Sequence, residues 1–252
     1  MSRRGNRPEG FASQVKETYA LRRLLRLRLY SYIESFSGSS ERGRRLNLRR
    51  AALVPYGERR IFKPKICTRD YSTSVHILVD VSGSMMACDG CSTSRCEQAC
   101  ISALSLALAL QGIDGITTLA TFFPGWDAEF EEALNGRQTA SARVAYFDQK
   151  PRGSTPLAQA VWYALGQAGN LQCSRNIVII ITDGIPDSVE QTRRALGGAR
   201  RAGIEVYGIG IKSDFVKNLI ADSAVIERAS DLVTVLFKLL MNIFPLERQA
   251  LS

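Results

Sequence analysis

From about Ser74 onward, short apolar runs alternate along the chain with longer segments of helical periodicity. The clearest runs are "SVHILVDV" (74–81), "GITTLATFF" (115–123), "RNIVIIITDG" (175–184) and "IEVYGIGI" (204–211). Runs of this length predict strands, and the continuously β-branched run at 175–184 is typical of a strand buried on both faces. Strands that alternate with helices indicate βαβ units and a parallel sheet.

Weaker patterns complete the predicted fold. The stretches 142–148 and 224–229 suggest an edge strand and a last strand, and helical patterns cover 94–112, 154–169, 188–203, 213–223 and 230–244. The helix at 154–169 begins with an N-cap candidate and a proline and ends at a glycine. We therefore expect an α/β fold in which a doubly wound, mostly parallel sheet of five or six strands is flanked by helices. Such sheets bind ligands at the carboxyl ends of their strands.

The first 70 residues differ from the rest of the chain in charge. They carry 18 Lys and Arg against 6 Asp and Glu, whereas the remaining residues carry 15 against 18. The length of segment 19–36 favours a helix, although its central L-R-L-R-L also alternates with period two, and 37–45 is typical of a flexible basic linker. We predict a basic, partly helical N-terminal extension over residues 1–70 and one domain over residues 71–252.

Composition narrows the class of protein. With 45% apolar and 23% charged residues among 252, the chain is expected to fold into a globular core. The longest uncharged apolar stretch, 99–111, is too short to span a bilayer, and the first twenty residues lack the apolar core of a signal peptide. The expectation is a cytoplasmic protein without a membrane segment, whose six cysteines are thiols or metal ligands rather than disulfides.

Oxygen-bearing side chains follow the predicted strands at two places and begin a helix at a third. Asp80, Ser82 and Ser84 come directly after the first strand, Thr155 lies in "GSTPL", and Asp183 ends the strand at 175–184. The fold would bring them together at one edge of the sheet. Two carboxylates with hydroxyls suit Mg²⁺ or Mn²⁺, which prefer oxygen ligands. An incomplete ligand shell would leave the ion able to bind a carboxylate of a partner.

These motifs resemble a known family. "DVSGSM", "GSTP" and "ITDG" are similar to the metal-ion-dependent adhesion site of von Willebrand factor A (VWA) domains, whose fold is a doubly wound, Rossmann-like sheet. The resemblance covers roughly residues 72–245 and implies that the metal ligands are Asp80, Ser82, Ser84, Thr155 and Asp183.

A narrower likeness concerns the residues before the first strand. "YALRRLLRLRL", "GRRLNLRR" and "RRIFKPK" are similar to the C-terminal VWA part of the cobaltochelatase VWA subunit. That subunit works with a MoxR-type AAA+ ATPase in ATP-driven cobalt insertion. The likeness implies partnership with an AAA+ ATPase.

Four cysteines form a separate local pattern. Cys88, Cys91, Cys96 and Cys100 have the spacing C-x2-C-x4-C-x3-C, which resembles compact zinc knuckles, and four thiolates can bind Zn²⁺ tetrahedrally. The alternative is that Cys96 and Cys100 are small residues on the inner face of a helix, with the other two reduced in a loop.

Catalytic groups are sparse. His76, the only histidine, lies inside the first predicted strand, where a core role is favoured, and no P-loop motif is present. The leading hypothesis is therefore a Mg²⁺-dependent protein-binding module, without catalytic activity of its own, that acts as adaptor for an AAA+ ATPase. The first alternative is a subunit of an ATP-driven cobalt chelatase acting on a tetrapyrrole. A basic nucleic-acid binder ranks last, because aromatic residues are not regularly interleaved with the arginines.

Overall fold

The computed structural model describes most of the chain from residue 41 to residue 243. The described ranges are 41–42, 45–63, 72–88, 93–113, 115–126, 129–228 and 231–243. The helix predicted at 19–36 and most of the linker predicted at 37–45 lie outside these ranges. None of the helices in these ranges has the length and hydrophobicity that a bilayer span requires.

A six-stranded sheet forms the centre of the fold, in the order β5-β4-β3-β6-β7-β8. Its strands are β3 (Thr73–Asp80), β4 (Ile116–Phe123), β5 (Glu131–Asn135), β6 (Arg175–Thr182), β7 (Glu205–Ile211) and β8 (Asp222–Ile226). All neighbours pair in parallel except β4 and β5, which are antiparallel. The prediction of a doubly wound, mostly parallel sheet flanked by helices is confirmed. From β3 the chain builds the sheet outward to one edge, and from β6 it builds outward to the other. The crevice expected to bind ligands therefore lies beyond the carboxyl ends of β3 and β6.

Helices cover both faces of the sheet. They are α2 (Arg95–Leu110), α3 (Leu157–Leu171), α4 (Val189–Arg201), α5 (Phe215–Leu219) and α6 (Leu232–Ile243). On one face α2 packs with α6, and on the other α3 packs with α4. Successive residues of β6 alternate between the two cores, with Ile177 and Ile179 in one and Val178 and Ile180 in the other. Because every side chain of this strand segment is buried, the strand is continuously apolar.

Residues before the sheet form a small separate unit. Strand β1 (Arg45–Leu46) pairs antiparallel with β2 (Phe62–Lys63), and the short helix α1 (Leu48–Ala51) lies between them in sequence. Leu48 and Tyr56 in this unit are largely exposed. The unit occupies the described part of the predicted basic extension.

The predicted edge strand at 142–148 is wrong. Residues Ala140–Ala142 and Val144–Phe147 form 3₁₀ turns. The edge strand beside β4 is instead β5 (Glu131–Asn135). Arg143 donates from Nε to the carbonyl oxygen of Ala133 (3.0 Å), and the Phe147 ring packs edge-on against Phe122. These contacts dock the segment onto the sheet without strand pairing. The sequence "EEALN" of β5 has low β propensity, so its position depends on pairing with β4.

The predicted start and end of the helix at 154–169 also need correction. The helix begins at Leu157, its N-cap residue is Pro156, and no side chain caps it. It continues past Gly169 to Leu171 and ends where Gln172 adopts a left-handed conformation (φ 49°). Glycine in a helix costs only about 1 kcal/mol relative to alanine. Burial of apolar residues on the same helix offsets that cost, so the helix does not end at Gly169.

His76 is buried in β3 as predicted. Its Nε2 lies 2.8 Å from the Thr121 hydroxyl, its ring meets Tyr163 edge-on, and its Nδ1 has no hydrogen-bond partner among the described residues. Burial lowers the pKa of His76 from 6.5 to about 3. The ring is therefore neutral in the folded protein, whereas in the unfolded chain it takes up a proton below about pH 6.5.

We expect this difference to destabilise the protein in mild acid. Between pH 7 and pH 5 only the unfolded state gains a proton at His76, so the free energy of unfolding falls by about 2 kcal/mol from this residue. The measurement is denaturant unfolding of the wild type and His76→Gln at both pH values. The glutamine amide keeps a polar group near Thr121 but does not titrate. The difference between the two proteins isolates the histidine, and an equal pH dependence in both would contradict the assignment.

Candidate metal centre

The first part of the candidate site is the loop that follows β3. Asp80 is the last residue of β3, and its Oδ1 accepts a hydrogen bond from the backbone N–H of Ser82 (2.8 Å). Gly83 donates its N–H to the carbonyl oxygen of Gly153 (3.1 Å), which joins this loop to the segment before α3. The Ser82 and Ser84 hydroxyls lie 3.1 Å apart. A carboxylate and two hydroxyls are thus held by backbone contacts at the carboxyl end of the sheet.

The second part comes from the end of β6. Thr182, its last residue, donates a hydrogen bond from its hydroxyl to Asp80 Oδ2. Asp183 follows, and its Oδ1 accepts a hydrogen bond from the Ser84 hydroxyl (2.6 Å). Because β3 and β6 are adjacent and parallel, their carboxyl ends place these side chains together.

The third part is the loop before α3. The backbone N–H of Thr155 donates to Asp187 Oδ1 (2.9 Å), and the N–H of Asp187 donates to the carbonyl oxygen of Thr155 (3.0 Å). These two bonds hold the buried Thr155 against the loop after β6. Asp187 is therefore a positioning residue that the sequence motifs do not indicate.

The surroundings of Gly184 show how close three of the oxygen-bearing side chains lie to one another. A methyl group added to its Cα would lie 3.3 Å from Thr155 Oγ1, 3.6 Å from Ser84 Oγ and 4.0 Å from Asp80 Oδ2. The other two predicted ligands, Ser82 and Asp183, each contact the Ser84 hydroxyl, so contacts of this kind link all five. Two carboxylates and three hydroxyls are hard oxygen donors, so the residues present fit a divalent cation such as Mg²⁺ or Mn²⁺.

The electrostatics of the two aspartates differ. Burial raises the pKa of Asp80 to about 6, the hydrogen bonds from Thr182 and Ser82 lower it, and the charge of Asp183 raises it further. Asp183 also has a fully buried side chain, and its Oδ2 lies 2.8 Å from NH1 of Arg95, the first residue of α2. Neither Thr182 nor Arg95 belongs to the predicted ligand set. Thr182 is adjacent to Asp183 in sequence, but no local signal indicates Arg95, which is 88 residues away.

The cysteines are divided between core and surface. Cys96 and Cys100 are buried on the inner face of α2, where the Cys96 thiol lies 3.6 Å from the carbonyl oxygen of Gln149. Burial raises the pKa of the Cys100 thiol well above 9, and a hydrogen bond with Cys96 adds to the shift. Cys88 is exposed, and Cys91 lies outside the described residues. Among the residues described, no three His, Cys, Asp or Glu side chains form a group able to hold a metal. Zinc binding stays a prediction.

Comparison with known proteins identifies the type of domain. The family model of the von Willebrand factor type A domain matches residues 74–230. A search of curated proteins finds no match. Solved structures that share the fold include manganese-loaded TRAP protein of Plasmodium vivax, at 16% identity and TM-score 0.52, covering 69% of this chain and 75% of that one.

Two further structures share the fold. Proximal thread matrix protein 1 from the mussel byssus, described with a zinc-occupied MIDAS motif, has 19% identity and TM-score 0.52, covering 67% of this chain and 47% of its own. The SpRpn10 VWA domain has 11% identity and TM-score 0.53, covering 65% and 95%. At these identities the likeness concerns the fold alone.

Proposed function

The chain belongs to the von Willebrand factor type A domain family, and we propose that it binds a partner protein through a divalent metal ion. Domains of this family are typically metal-dependent protein-interaction modules. The observation that carries the proposal is a cluster of five oxygen-bearing side chains, of which three lie within 4.0 Å of a methyl group placed on Gly184 and the other two contact Ser84. The proposed ligands are Asp80, Ser82, Ser84, Thr155 and Asp183. When bound, the ion supplies a positive charge that attracts a carboxylate of the partner.

The surroundings of the site support a protein as the ligand. Met86, Ile185 and Trp126 have exposed fractions of 65%, 64% and 58%. Met86 and Ile185 each lie two residues beyond a proposed ligand, and Trp126 packs on the guanidinium of Arg152 (4.7 Å). The backbone N–H of Arg152 in turn donates to the carbonyl oxygen of Val81, the residue between the proposed ligands Asp80 and Ser82 in sequence. Large exposed apolar side chains are typical of protein-interaction surfaces.

The finer parts of the proposal rest on the sequence. We propose Mg²⁺, or Mn²⁺, as the ion, a cytoplasmic location, and a MoxR-type AAA+ ATPase as the protein with which the chain works. The neighbours described as manganese-loaded and zinc-occupied support a divalent metal in this fold. We further propose that residues 71–252 form the metal-dependent domain and that the basic extension over residues 1–70 contacts an acidic surface of the partner.

The test is recovery of partners with the tagged chain from its native cell. We expect an AAA+ ATPase to be enriched in Mg²⁺, and to be lost in EDTA and with Ser84→Ala. The matched control is Ser141→Ala, which removes an exposed hydroxyl outside the site. Recovery of the ATPase that is unaffected by EDTA and by Ser84→Ala would contradict a metal-dependent contact.

The second candidate is a subunit of an ATP-driven cobalt chelatase, which the resemblance of the basic segments favours. It predicts that the chain, the matching ATPase and a tetrapyrrole-binding subunit together insert cobalt in an ATP-dependent reaction. The adaptor hypothesis instead predicts a metal-dependent complex with the ATPase but no insertion activity. Absorbance of the metallated tetrapyrrole distinguishes the two.

A further inference from the structure

The small unit over residues 45–63 concentrates exposed apolar side chains. Ten large apolar side chains are exposed in the described part of the chain, and five of them lie between residues 46 and 56. These five, which we call the apolar patch, are Leu46, Leu48, Leu53, Val54 and Tyr56. Leu48 is 81% exposed and Tyr56 87%. Single exposed apolar residues are ordinary, but five in so short a segment are typical of an interaction site.

Backbone hydrogen bonds hold this unit together. Strands β1 and β2 pair antiparallel, and the N–H of Asn47 donates to the carbonyl oxygen of Ile61 (2.7 Å). The connection between the strands turns at Gly57, which has a left-handed conformation (φ 92°), and the N–H of Glu58 donates to the carbonyl oxygen of Leu53 (3.3 Å). The unit therefore forms without burying the apolar patch, which is left accessible to another molecule.

The same unit is strongly basic. Residues 45–63 contain six Lys and Arg and one acidic residue, Glu58. One oxygen of Glu58 pairs with Arg50 (3.4 Å), and the other accepts the backbone N–H of Arg60 (2.9 Å). The side chains of Arg59 and Arg60 are exposed. A ligand that complements this surface must therefore carry negative charge beside apolar groups.

The N-terminal residues of the chain itself do not have that charge. Residues 1–40 contain eight Lys and Arg against three Glu, so their net charge has the same sign as that of the unit. An acidic amphipathic helix complements both features, because it places an apolar stripe between rows of carboxylates. Charge and hydrophobicity together thus favour a segment of another protein as the ligand.

We propose that residues 45–63 form a second docking surface, which binds an acidic amphipathic helix of the partner protein without a metal ion. None of the five proposed metal ligands lies in this unit, so EDTA does not remove the contact. The inference rests on the proposed function, because it gives the partner protein a second contact. Two weak contacts with one partner reinforce each other. Loss of the metal-dependent contact in EDTA therefore still releases the partner when the complex is washed.

The first experiment measures peptide binding to the full chain by fluorescence anisotropy in EDTA. The probe is a labelled helical peptide of Leu and Glu, with Leu at positions i, i+3, i+4 and i+7 along one face. We expect it to bind at least about tenfold more tightly than a peptide in which Lys replaces every Glu. Added salt should weaken the binding, because the charges are exposed. Equal affinity for the two peptides would overturn the inference.

Substitutions test whether the apolar patch makes the contact. Leu48→Ser combined with Tyr56→Ser should weaken binding of the Glu peptide at least about tenfold, because a few apolar anchors dominate such interfaces. Both side chains are exposed, so the double variant should fold like the wild type. The matched control is Ile185→Ser, which removes an exposed apolar side chain beside the candidate metal centre and should bind normally. Unchanged binding in the double variant, or equal weakening in the control, would overturn the inference.

A second pair of variants tests the charge. Arg59→Gln combined with Arg60→Gln should weaken binding of the Glu peptide about fivefold and reduce its salt dependence. Arg193→Gln combined with Arg194→Gln removes the same charge from the exposed surface of α4 and should leave the affinity unchanged. The same loss of affinity in both double variants would mean that net charge alone attracts the peptide, which would overturn the inference.

Two further measurements test other occupants of the apolar patch. Cosedimentation with vesicles of POPC and POPG tests an anionic membrane, and size-exclusion chromatography tests a second copy of the chain. Vesicle binding without binding of the Glu peptide would overturn the inference, as would a dimer that Leu48→Ser with Tyr56→Ser abolishes. The peptide is measured without metal, so a chain that binds the peptide but not Mg²⁺ would overturn the proposed metal-dependent contact alone.

Discussion

Replacement of Asp80 by asparagine is expected to weaken Mg²⁺ binding at least about 100-fold while leaving the metal-free protein as stable as the wild type. The variant removes one full negative charge from the group of proposed ligands. Asparagine keeps the shape of the side chain and an oxygen that can accept the Ser82 N–H, and the Thr182 hydroxyl can accept from its amide. A buried carboxylate is costly without a cation, so its neutral replacement does not destabilise the fold.

Thermal unfolding with and without Mg²⁺ measures both effects in one series. The wild type should gain melting temperature as Mg²⁺ is added, because a ligand that binds only the folded state stabilises it. Asp80→Asn should not gain it. The matched control is Asp214→Asn, since that carboxylate is 80% exposed and lies outside the site. A Mg²⁺-dependent rise in Asp80→Asn equal to that of the wild type would exclude Asp80 as a ligand.

Replacement of Gly184 by alanine is expected to block the same binding by filling space rather than by removing charge. The added methyl would lie 3.3 Å from Thr155 Oγ1 and 3.6 Å from Ser84 Oγ, within the volume that the ligands surround. Gly184 is not in the left-handed region, so alanine can adopt its backbone conformation. We expect Mg²⁺ affinity to fall at least about 100-fold, and crowding against Thr155 Oγ1 to lower the free energy of unfolding by about 1–3 kcal/mol.

Calorimetric titration with Mg²⁺ and denaturant unfolding test this prediction together. Gly166→Ala is the matched control, because a methyl at that position in α3 meets no atom within 4 Å. It should bind Mg²⁺ normally and increase stability by about 1 kcal/mol, since alanine is the better helix former. Normal Mg²⁺ binding by Gly184→Ala would mean that the ion does not occupy the volume beside this residue.

The strands and helices could be predicted from sequence where their pattern is strong. The strand β6 is apolar along most of its length because both of its faces are buried, and that burial is what the sequence records. The edge strand β5 has only one neighbour and carries two glutamates, so nothing in its composition distinguishes it from a loop. The helix α3 continues past Gly169, where the sequence predicts its end, because packing of the whole helix outweighs the local preference of one glycine.

The residues of the candidate site also differ in whether a local sequence pattern predicts them. The carboxylates and hydroxyls at the strand ends can be predicted from local motifs, since parallel strands bring their carboxyl ends together whatever their separation in the chain. The contacts of Asp187 and Arg95 with the site are evident only in the folded protein. Asp187 acts through backbone contacts to a residue 32 positions away, and Arg95 reaches Asp183 from a helix 88 positions earlier. Such contacts depend on how a loop and a helix pack against the sheet, and packing leaves no local pattern in the residues themselves.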